Sequence, residues 1–248
     1  MTVGLFIPCY IDQFFPQVAI ATLQLLEKLG INVEYPIRQT CCGQPMANSG
    51  FEQSSISVYQ LFVKNFSRYD YVVTPTGSCA YHVRKHFNKI DQTPEVVKVR
   101  NSTFELVNFL TDVLNKTEVA VSFPHQVGFH QSCHGQRGLG LSNASEITPD
   151  QDGQAIRLLR TIKDIKLTQL TRTDECCGFG GTFCVSEEAV SARMGIDRIA
   201  DHVRNKTEVL TGGDMSCLMH LDGIIKRQRL PIKVMHIAEI LNGNNIYE

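Results

Sequence analysis

Residues 3–9 read VGLFIPC, and residues 127–133 read VGFHQSC. Both are short strand-like runs that begin with Val-Gly and end on a cysteine. A stretch that recurs once in each half of a chain of 248 residues indicates an internal duplication, and a duplication sets the architecture of the whole chain. The sequence therefore predicts two copies of one structural unit.

Further landmarks recur in the same order. A pair of adjacent cysteines followed by glycine occurs at residues 41–43 and again at residues 176–178. A later cysteine ends a second strand-like run, at residues 72–79 and 208–217. We place the first copy at residues 1–120 and the second at residues 121–248, with the boundary near residues 115–125.

Each copy closes alike, on a short run of β-branched residues around a lysine followed by an apolar segment. The two runs are residues 97–99 and 232–234, and the segments that follow them are residues 104–110 and 236–241. Longer segments with apolar residues at three- and four-residue spacing predict helices over residues 18–29, 52–66 and 187–203. Short β-branched runs that alternate with helices predict an α/β fold, built from βαβ units with a parallel sheet in each repeat.

Composition narrows the class of protein. Apolar residues make up 43% of the chain, and the net charge is −1, so nothing attracts a nucleic-acid backbone or an anionic membrane. Residues 1–9 lack the features of a signal peptide, and no apolar run approaches the roughly 18 residues of a membrane span. We therefore expect a cytoplasmic protein. Thiols stay reduced there, so nine cysteines favour metal or redox chemistry over disulfides.

Eight of the nine cysteines form two sets of four in matching order. The first set is Cys9, Cys41, Cys42 and Cys79, and the second is Cys133, Cys176, Cys177 and Cys217. The carboxyl ends of parallel strands share one edge of a sheet, so the members of each set should converge there. Four thiolates suit zinc or an iron–sulfur cluster. The sequence therefore predicts a metal site at the strand ends of each repeat.

The adjacent cysteine pairs require a turn. Neighbouring residues point to opposite faces of a strand and do not face each other on a helix, so both can bind one metal only from a turn. Gly43 and Gly178 supply the backbone freedom for it. The glycines of residues 178–181 would also let peptide N–H groups approach sulfur.

Other candidates have simpler interpretations. Cys184 has no counterpart in the first repeat, and we interpret it as a small buried residue. The glycine-rich residues 135–140 lack the spacing of a nucleotide-binding loop. Isolated histidines are more often hydrogen-bonding residues than ligands or bases, although one of them, His134, adjoins a cysteine of the second set. These histidines are His125, His130, His134, His202 and His236.

The cysteine motifs carry a family resemblance. The segments concerned are residues 41–50, 77–79, 176–183, 216–219 and 234–239. They resemble those of the lactate utilization protein A (LutA/YkgE) family and, more broadly, the Cys-Cys-Gly domains of heterodisulfide reductase and of the glycolate oxidase iron–sulfur subunit. The resemblance implies an iron–sulfur electron-transfer subunit, with a 4Fe-4S cluster in each repeat. It also implies a cytoplasmic complex that oxidises L-lactate to pyruvate together with LutB- and LutC-like subunits.

The sequence departs from the reductase pattern at one point in each repeat. A fifth cysteine of that pattern is replaced by His82 and by His220, which argues against disulfide-cleaving chemistry and non-cubane clusters. Mixed thiolate–imidazole ligation and zinc in one of the two sites remain alternatives for the metal. A zinc-binding scaffold or interaction subunit without a redox role, and a heterodisulfide-reductase-like redox protein, remain alternatives for the function. Each histidine follows a cysteine by three residues, a spacing that shares one face of a helix. We therefore expect at least one of them to lie at its metal centre.

Overall fold

The protein contains two four-stranded parallel sheets, one in each half of the chain. They are seen in a computed structural model that describes residues 1–146 and 152–246. The strands of the first sheet are β1 (Thr2–Leu5), β2 (Asn32–Glu34), β3 (Tyr71–Thr74) and β4 (Thr103–Glu105), in the order β2-β1-β3-β4. Those of the second are β5 (Gln126–His130), β6 (Lys166–Leu167), β7 (Val209–Gly212) and β8 (Lys233–Val234), in the order β6-β5-β7-β8.

The two sheets also share their register. Val3 of β1 pairs with Val33 and Tyr71 on its two sides, and its counterpart Val127 of β5 pairs with Leu167 and Val209. The same strand order and the same register in both halves confirm the predicted α/β class with duplicated parallel sheets.

Helices connect the strands. In the first half they are α1 (Cys9–Phe14), α2 (Pro16–Lys28), α3 (Gln44–Asn48), α4 (Glu52–Phe66), α5 (Gly77–His86), α6 (Pro94–Ser102) and α7 (Leu106–Asn108). In the second half they are α8 (Gln154–Leu159), α9 (Phe183–Ser186), α10 (Glu188–Arg204), α11 (Met215–Gln228) and α12 (Ile237–Asn242). Phe87–Lys89 forms a 3₁₀ turn, and Phe109–Val113 and His134–Gly138 form π-helical turns. The three helices predicted from apolar spacing are α2, α4 and α10.

One predicted correspondence is wrong. Residues 97–99 do not form the closing strand of the first repeat, because they lie inside α6. Thr93 and Pro94 start that helix: the Thr93 hydroxyl accepts the Val96 N–H at 3.5 Å, and proline occupies the first helical position. The closing strand is β4, which overlaps the start of the apolar segment at residues 104–110.

The halves pack against each other around a shared core. One cluster of buried apolar side chains contains Val3 and Leu5 of the first sheet together with Val127 and Val209 of the second. A second, aromatic-rich cluster lies within the first half, beneath α4.

The closing segment of each half contacts the other half. In α12, Asn242 accepts a hydrogen bond from Lys28 Nζ at 2.8 Å and donates one to Gln24 Oε1 at 2.9 Å. In the opposite direction, Gln154 of α8 donates to Asp112 Oδ1 at 2.9 Å. These polar contacts fix the orientation of one repeat against the other.

The second residue of the repeated Val-Gly motif is glycine because a neighbouring side chain occupies the place of its Cβ. A Cβ on Gly4 would lie 2.4 Å from Cδ2 of Tyr69. A Cβ on Gly128 would lie 2.4 Å from Nδ1 of His202 and 2.5 Å from Oγ1 of Thr207. The recurring glycine therefore reflects close packing on the first strand of each sheet.

Gly128→Ala should lower the free energy of unfolding by about 1–3 kcal/mol, because the new methyl group overpacks the buried His202 ring. Gly223→Ala is the matched control: Gly223 is exposed on α11, and a Cβ there meets nothing within 4 Å. The control should be neutral or more stable by up to about 1 kcal/mol, since alanine favours helix. Urea unfolding at equal metal content measures both variants, and equal stabilities would contradict the packing argument.

Candidate metal centres

The two cysteine sets lie at equivalent places in the two repeats. Cys9 begins α1 after the first strand, the pair Cys41 and Cys42 precedes α3, and Cys79 lies in the first turn of α5. In the second repeat, the corresponding cysteines are Cys133 after β5, the pair Cys176 and Cys177 in the loop before α9, and Cys217 in the first turn of α11. Because all strands are parallel, these segments share the carboxyl edges of the sheets.

The thiols of the first set follow one another as a chain of neighbours. The Cys42 and Cys79 sulfurs are 3.4 Å apart. The Cys9 and Cys42 thiols come close enough to Cys41 to lower its pKa, and the Cys41 sulfur also accepts the Gly43 N–H at 3.4 Å. The set therefore forms one continuous group of four sulfur atoms.

The second set repeats this arrangement. The Cys133 and Cys177 thiols come close enough to Cys176 to lower its pKa, and the Cys177 and Cys217 sulfurs lie within 4.8 Å of each other. The Gly178 N–H donates to Cys176 Sγ, and the Phe179 N–H donates to Cys177 Sγ, both at 3.4 Å. All of these cysteines are free thiols.

The cysteine pairs lie in the predicted turns. Gly43 and Gly178 adopt φ values of +91° and +90°, in the left-handed region that favours glycine. On the far side of each turn a serine of the following long helix holds the glycine carbonyl: Ser55 donates to Gly43 at 3.2 Å, and Ser191 donates to Gly178 at 2.8 Å. Both repeats therefore fix the pair with the same contacts.

Each group concentrates negative charge on one sulfur. Hydrogen bonds from Cys42 and Cys9 lower the pKa of Cys41 to about 3. Hydrogen bonds from Cys133 and Cys177 likewise lower the pKa of Cys176 to about 2. The thiols that donate keep their protons, so metal binding must release them, and metal affinity should fall in acid.

The sets reach from the core to the surface. Cys42 and Cys177 are buried, whereas Cys9 and Cys133 are exposed. A group held by four such sulfurs would be anchored in the protein and open to a partner on one side. Four neighbouring thiols beside peptide N–H donors are a ligand set whose chemistry suits both a zinc ion and an iron–sulfur cluster.

The two groups are neighbours across the interface between the repeats. Thr76 and Asp214, which precede α5 and α11, pair as an antiparallel bridge, and the Gly77 N–H donates to the Gly213 carbonyl at 3.2 Å. Tyr10 hydrogen-bonds to both sides of this bridge, at 3.3 Å to Thr76 and 3.4 Å to Asp214.

The pKa of Tyr10 also indicates that the two cysteine groups lie close together. Burial raises the pKa of the Tyr10 phenol, and negative charge on Asp214, Cys79 and Cys217 adds to the effect. Tyr10 therefore lies within electrostatic reach of one cysteine from each set.

His82 and His220 have other partners. His82 is buried, and its Nε2 hydrogen-bonds to the Tyr59 hydroxyl at 3.0 Å. His220 donates from Nε2 to the Ser191 carbonyl at 3.4 Å. Among the described residues, neither histidine hydrogen-bonds to a cysteine, so their place at a metal centre stays a prediction.

Among the described residues, His130 is the histidine that forms a ligand-sized group with cysteines of one set. One of its ring nitrogens lies within 4.8 Å of the Cys177 and Cys217 sulfurs. Sequence reasoning treated His130 as one isolated histidine among several. Its position as the last residue of β5 was the available signal, since the carboxyl end of that strand leads directly to Cys133.

The interpretation of Cys184 as a buried residue is wrong. It is partly exposed, and its thiol donates to the Gly181 carbonyl at 3.0 Å. It does not belong to the ligand-sized group of His130, Cys177 and Cys217 that the described residues form.

Comparison with known proteins identifies the family. A model of the cysteine-rich domain matches residues 3–84 and 127–222, one match in each repeat. Lactate utilization protein A of Geobacillus kaustophilus is 39% identical, over 99% of this chain and 100% of that protein. The chain belongs to the lactate utilization protein A family. Lactate utilization protein A of Bacillus licheniformis is 37% identical, over 98% of this chain and 100% of that protein. The family resemblance of the cysteine motifs is thereby confirmed.

A solved structure supports the fold. A hypothetical protein from Helicobacter pylori has a TM-score of 0.54 and 13% identity to this family member, over 97% of this chain and 48% of that one. The chain thus spans about half the length of that protein. In the part of the chain that the structure describes, no helix is long and apolar enough to cross a membrane.

Replacing Cys42 or Cys177 by serine should remove the metal of one repeat and leave that of the other, because each set is complete within its own repeat. Metal content should therefore fall to about half, and the mutated half should lose stability, since binding energy is folding energy at such sites. Cys184→Ser is the matched control and should retain all the metal. Loss of both centres from a still-folded single variant would rule out one centre per repeat.

Proposed function

We propose that this chain is an iron–sulfur electron-transfer subunit that serves the oxidation of L-lactate to pyruvate. One cluster would be held by residues 1–120, through Cys9, Cys41, Cys42 and Cys79. The other would be held by residues 121–248, through Cys133, Cys176, Cys177 and Cys217. The observation that carries the proposal is the pair of adjacent four-thiol groups.

Two features of the groups favour clusters over isolated zinc ions. Peptide N–H groups of Gly43, Gly178 and Phe179 point at cysteine sulfur, and such hydrogen bonds tune the reduction potential of a cluster. The groups are also held next to each other through the Thr76–Asp214 bridge. A structural zinc ion needs no second metal centre nearby, whereas an electron relay needs one within reach.

The bound clusters would supply one-electron transfer, and this chain would supply their ligands and their spacing. The exposed Cys9 and Cys133 give each centre a side that a partner's cofactor can approach. The names of the relatives support lactate as the source of electrons. We place LutB- and LutC-like subunits as the partners of this cytoplasmic complex.

Anaerobic purification followed by iron, zinc and acid-labile sulfide analysis tests the cofactor. We expect iron and sulfide in equal amounts, with little zinc, because four thiolates and N–H donors to sulfur suit a cluster. Zinc near stoichiometry without iron or sulfide would instead support a zinc-binding scaffold.

Activity measurements test the relay. The chain alone should not oxidise L-lactate with an artificial acceptor, whereas the assembled complex should. A complex that carries Cys42→Ser should lose most of its turnover, and one that carries Cys184→Ser should keep it. Robust turnover by the isolated chain would refute the relay and place the catalytic site here.

A further inference from the structure

The two centres have different surroundings at one pair of positions. Phe6, in the first strand-like run, corresponds to His130 in the repeat. Ser55 and Ser191 make equivalent bonds to the two turns, and seven residues further along their helices stand Phe62 and Arg198. An aromatic pair in the first repeat is therefore replaced by an imidazole and a guanidinium in the second.

Both pairs are buried and in contact. The Phe6 and Phe62 rings lie 4.8 Å apart, edge to face, within the aromatic-rich cluster of the first half. Arg198 Nε donates to His130 Nδ1 at 3.3 Å, and neither side chain is more than 1% exposed. The two side chains are therefore in contact in both repeats, but the contact is apolar in the first repeat and polar in the second.

Arg198 is held in place independently of His130. Its guanidinium donates to the Phe129 and Thr173 carbonyls, both at 3.3 Å, and lies 3.7 Å from the Asp201 carboxylate. A third carbonyl, that of Arg172, accepts from Nη1. These partners satisfy a buried charge and fix the direction of Nε.

The contact with Arg198 determines which nitrogen of the His130 ring carries the proton. A guanidinium has donors and no acceptor, so His130 Nδ1 must accept, and the proton of the neutral ring is on Nε2. Direct metal ligation through Nε2 would require that proton to leave. One ring nitrogen of His130 lies within 4.8 Å of the Cys177 and Cys217 sulfurs. Since Arg198 occupies Nδ1, Nε2 is the nitrogen left to face them, and with its proton in place it can act only as a hydrogen-bond donor.

We propose that His130, positioned by Arg198, donates from Nε2 to the sulfur atoms of the second centre and makes it the more easily reduced of the two. Hydrogen bonds to sulfur stabilise the more negative, reduced form and raise the potential. The inference rests on the proposed function, because it concerns the direction of electron flow inside the relay.

Among the described residues, the first set has no imidazole in a ligand-sized group with its thiols, since Phe6 stands at the equivalent place. Each electron that an upstream redox subunit takes from lactate would pass through the first centre and be gained by the second. The first centre is reoxidised as the second is reduced, and no bond forms or breaks. Electrons would leave on the side of Cys133.

The test is anaerobic potentiometry of the loaded protein, followed by electron paramagnetic resonance. Wild type is compared with His130→Phe, which copies the first repeat, and with His130→Gln, whose amide keeps an acceptor for Arg198 and an N–H donor. His125→Phe is the matched control, because His125 precedes the other end of the same strand. A Cys42→Ser sample assigns the signal of the second centre.

We expect the second centre of wild type to have the higher midpoint potential. His130→Phe should lower it towards that of the first centre, His130→Gln should lower it less, and the control should not move it. Iron and sulfide should be unchanged, and an exchangeable proton coupled to the second centre in wild type should be absent from His130→Phe.

Three results would overturn the inference while leaving the proposed function intact. The first is two clusters in wild type with unmoved midpoints in His130→Phe. The second is loss of iron from the second centre of a folded His130→Phe protein, and the third is a strong nitrogen coupling in wild type, because either of these would make His130 a ligand. The proposed function itself fails if wild type lacks iron and sulfide, which the same samples show.

Discussion

The left-handed turn after each cysteine pair is the constraint on which both centres depend. Two adjacent side chains reach one site only because Gly43 and Gly178 reverse the backbone and a helix serine holds each glycine carbonyl. The parallel sheets do the rest, because they bring the other two cysteines of each set to the same edge. A side chain at either glycine would strain the backbone and collide with Tyr59 or with the Ser191 carbonyl.

Because of the duplication, the two cysteine sets lie on equivalent elements of the two repeats. They differ in the side chains that surround them. The first repeat fills the space behind its cysteine pair with aromatic rings, among them Phe6 and Phe62, which are stabilised by apolar burial. The second repeat places His130 and Arg198 there, and it must satisfy a buried charge with three carbonyls and a carboxylate. Apolar packing adds no side-chain donor to the Gly43 N–H of the first set, whereas the polar pair would add one in the second.

Much of the fold and of the candidate site could be predicted from the sequence, because the repeated motifs align the two halves of the chain with each other. The cysteine sets, the turns and the helices of residues 18–29 and 52–66 follow from patterns that are local in the chain. The closing strand of the first repeat was misplaced because Thr93 and Pro94 start a helix across an apolar run that looked like a strand. His130 was not predicted as a site residue because its role depends on Arg198, which lies 68 residues away in the sequence and approaches it only in the folded chain.

The central claim is that eight cysteines hold the two metal centres and that Cys184 does not. Anaerobic alkylation of the loaded protein, mapped by mass spectrometry, tests it most directly, with a chelator-stripped sample for comparison. The account predicts that Cys184 alone is modified in the loaded protein and that all nine cysteines are modified after stripping. Modification of any paired-set cysteine as readily as Cys184 in the loaded protein, or protection of Cys184 by the metal, would contradict it.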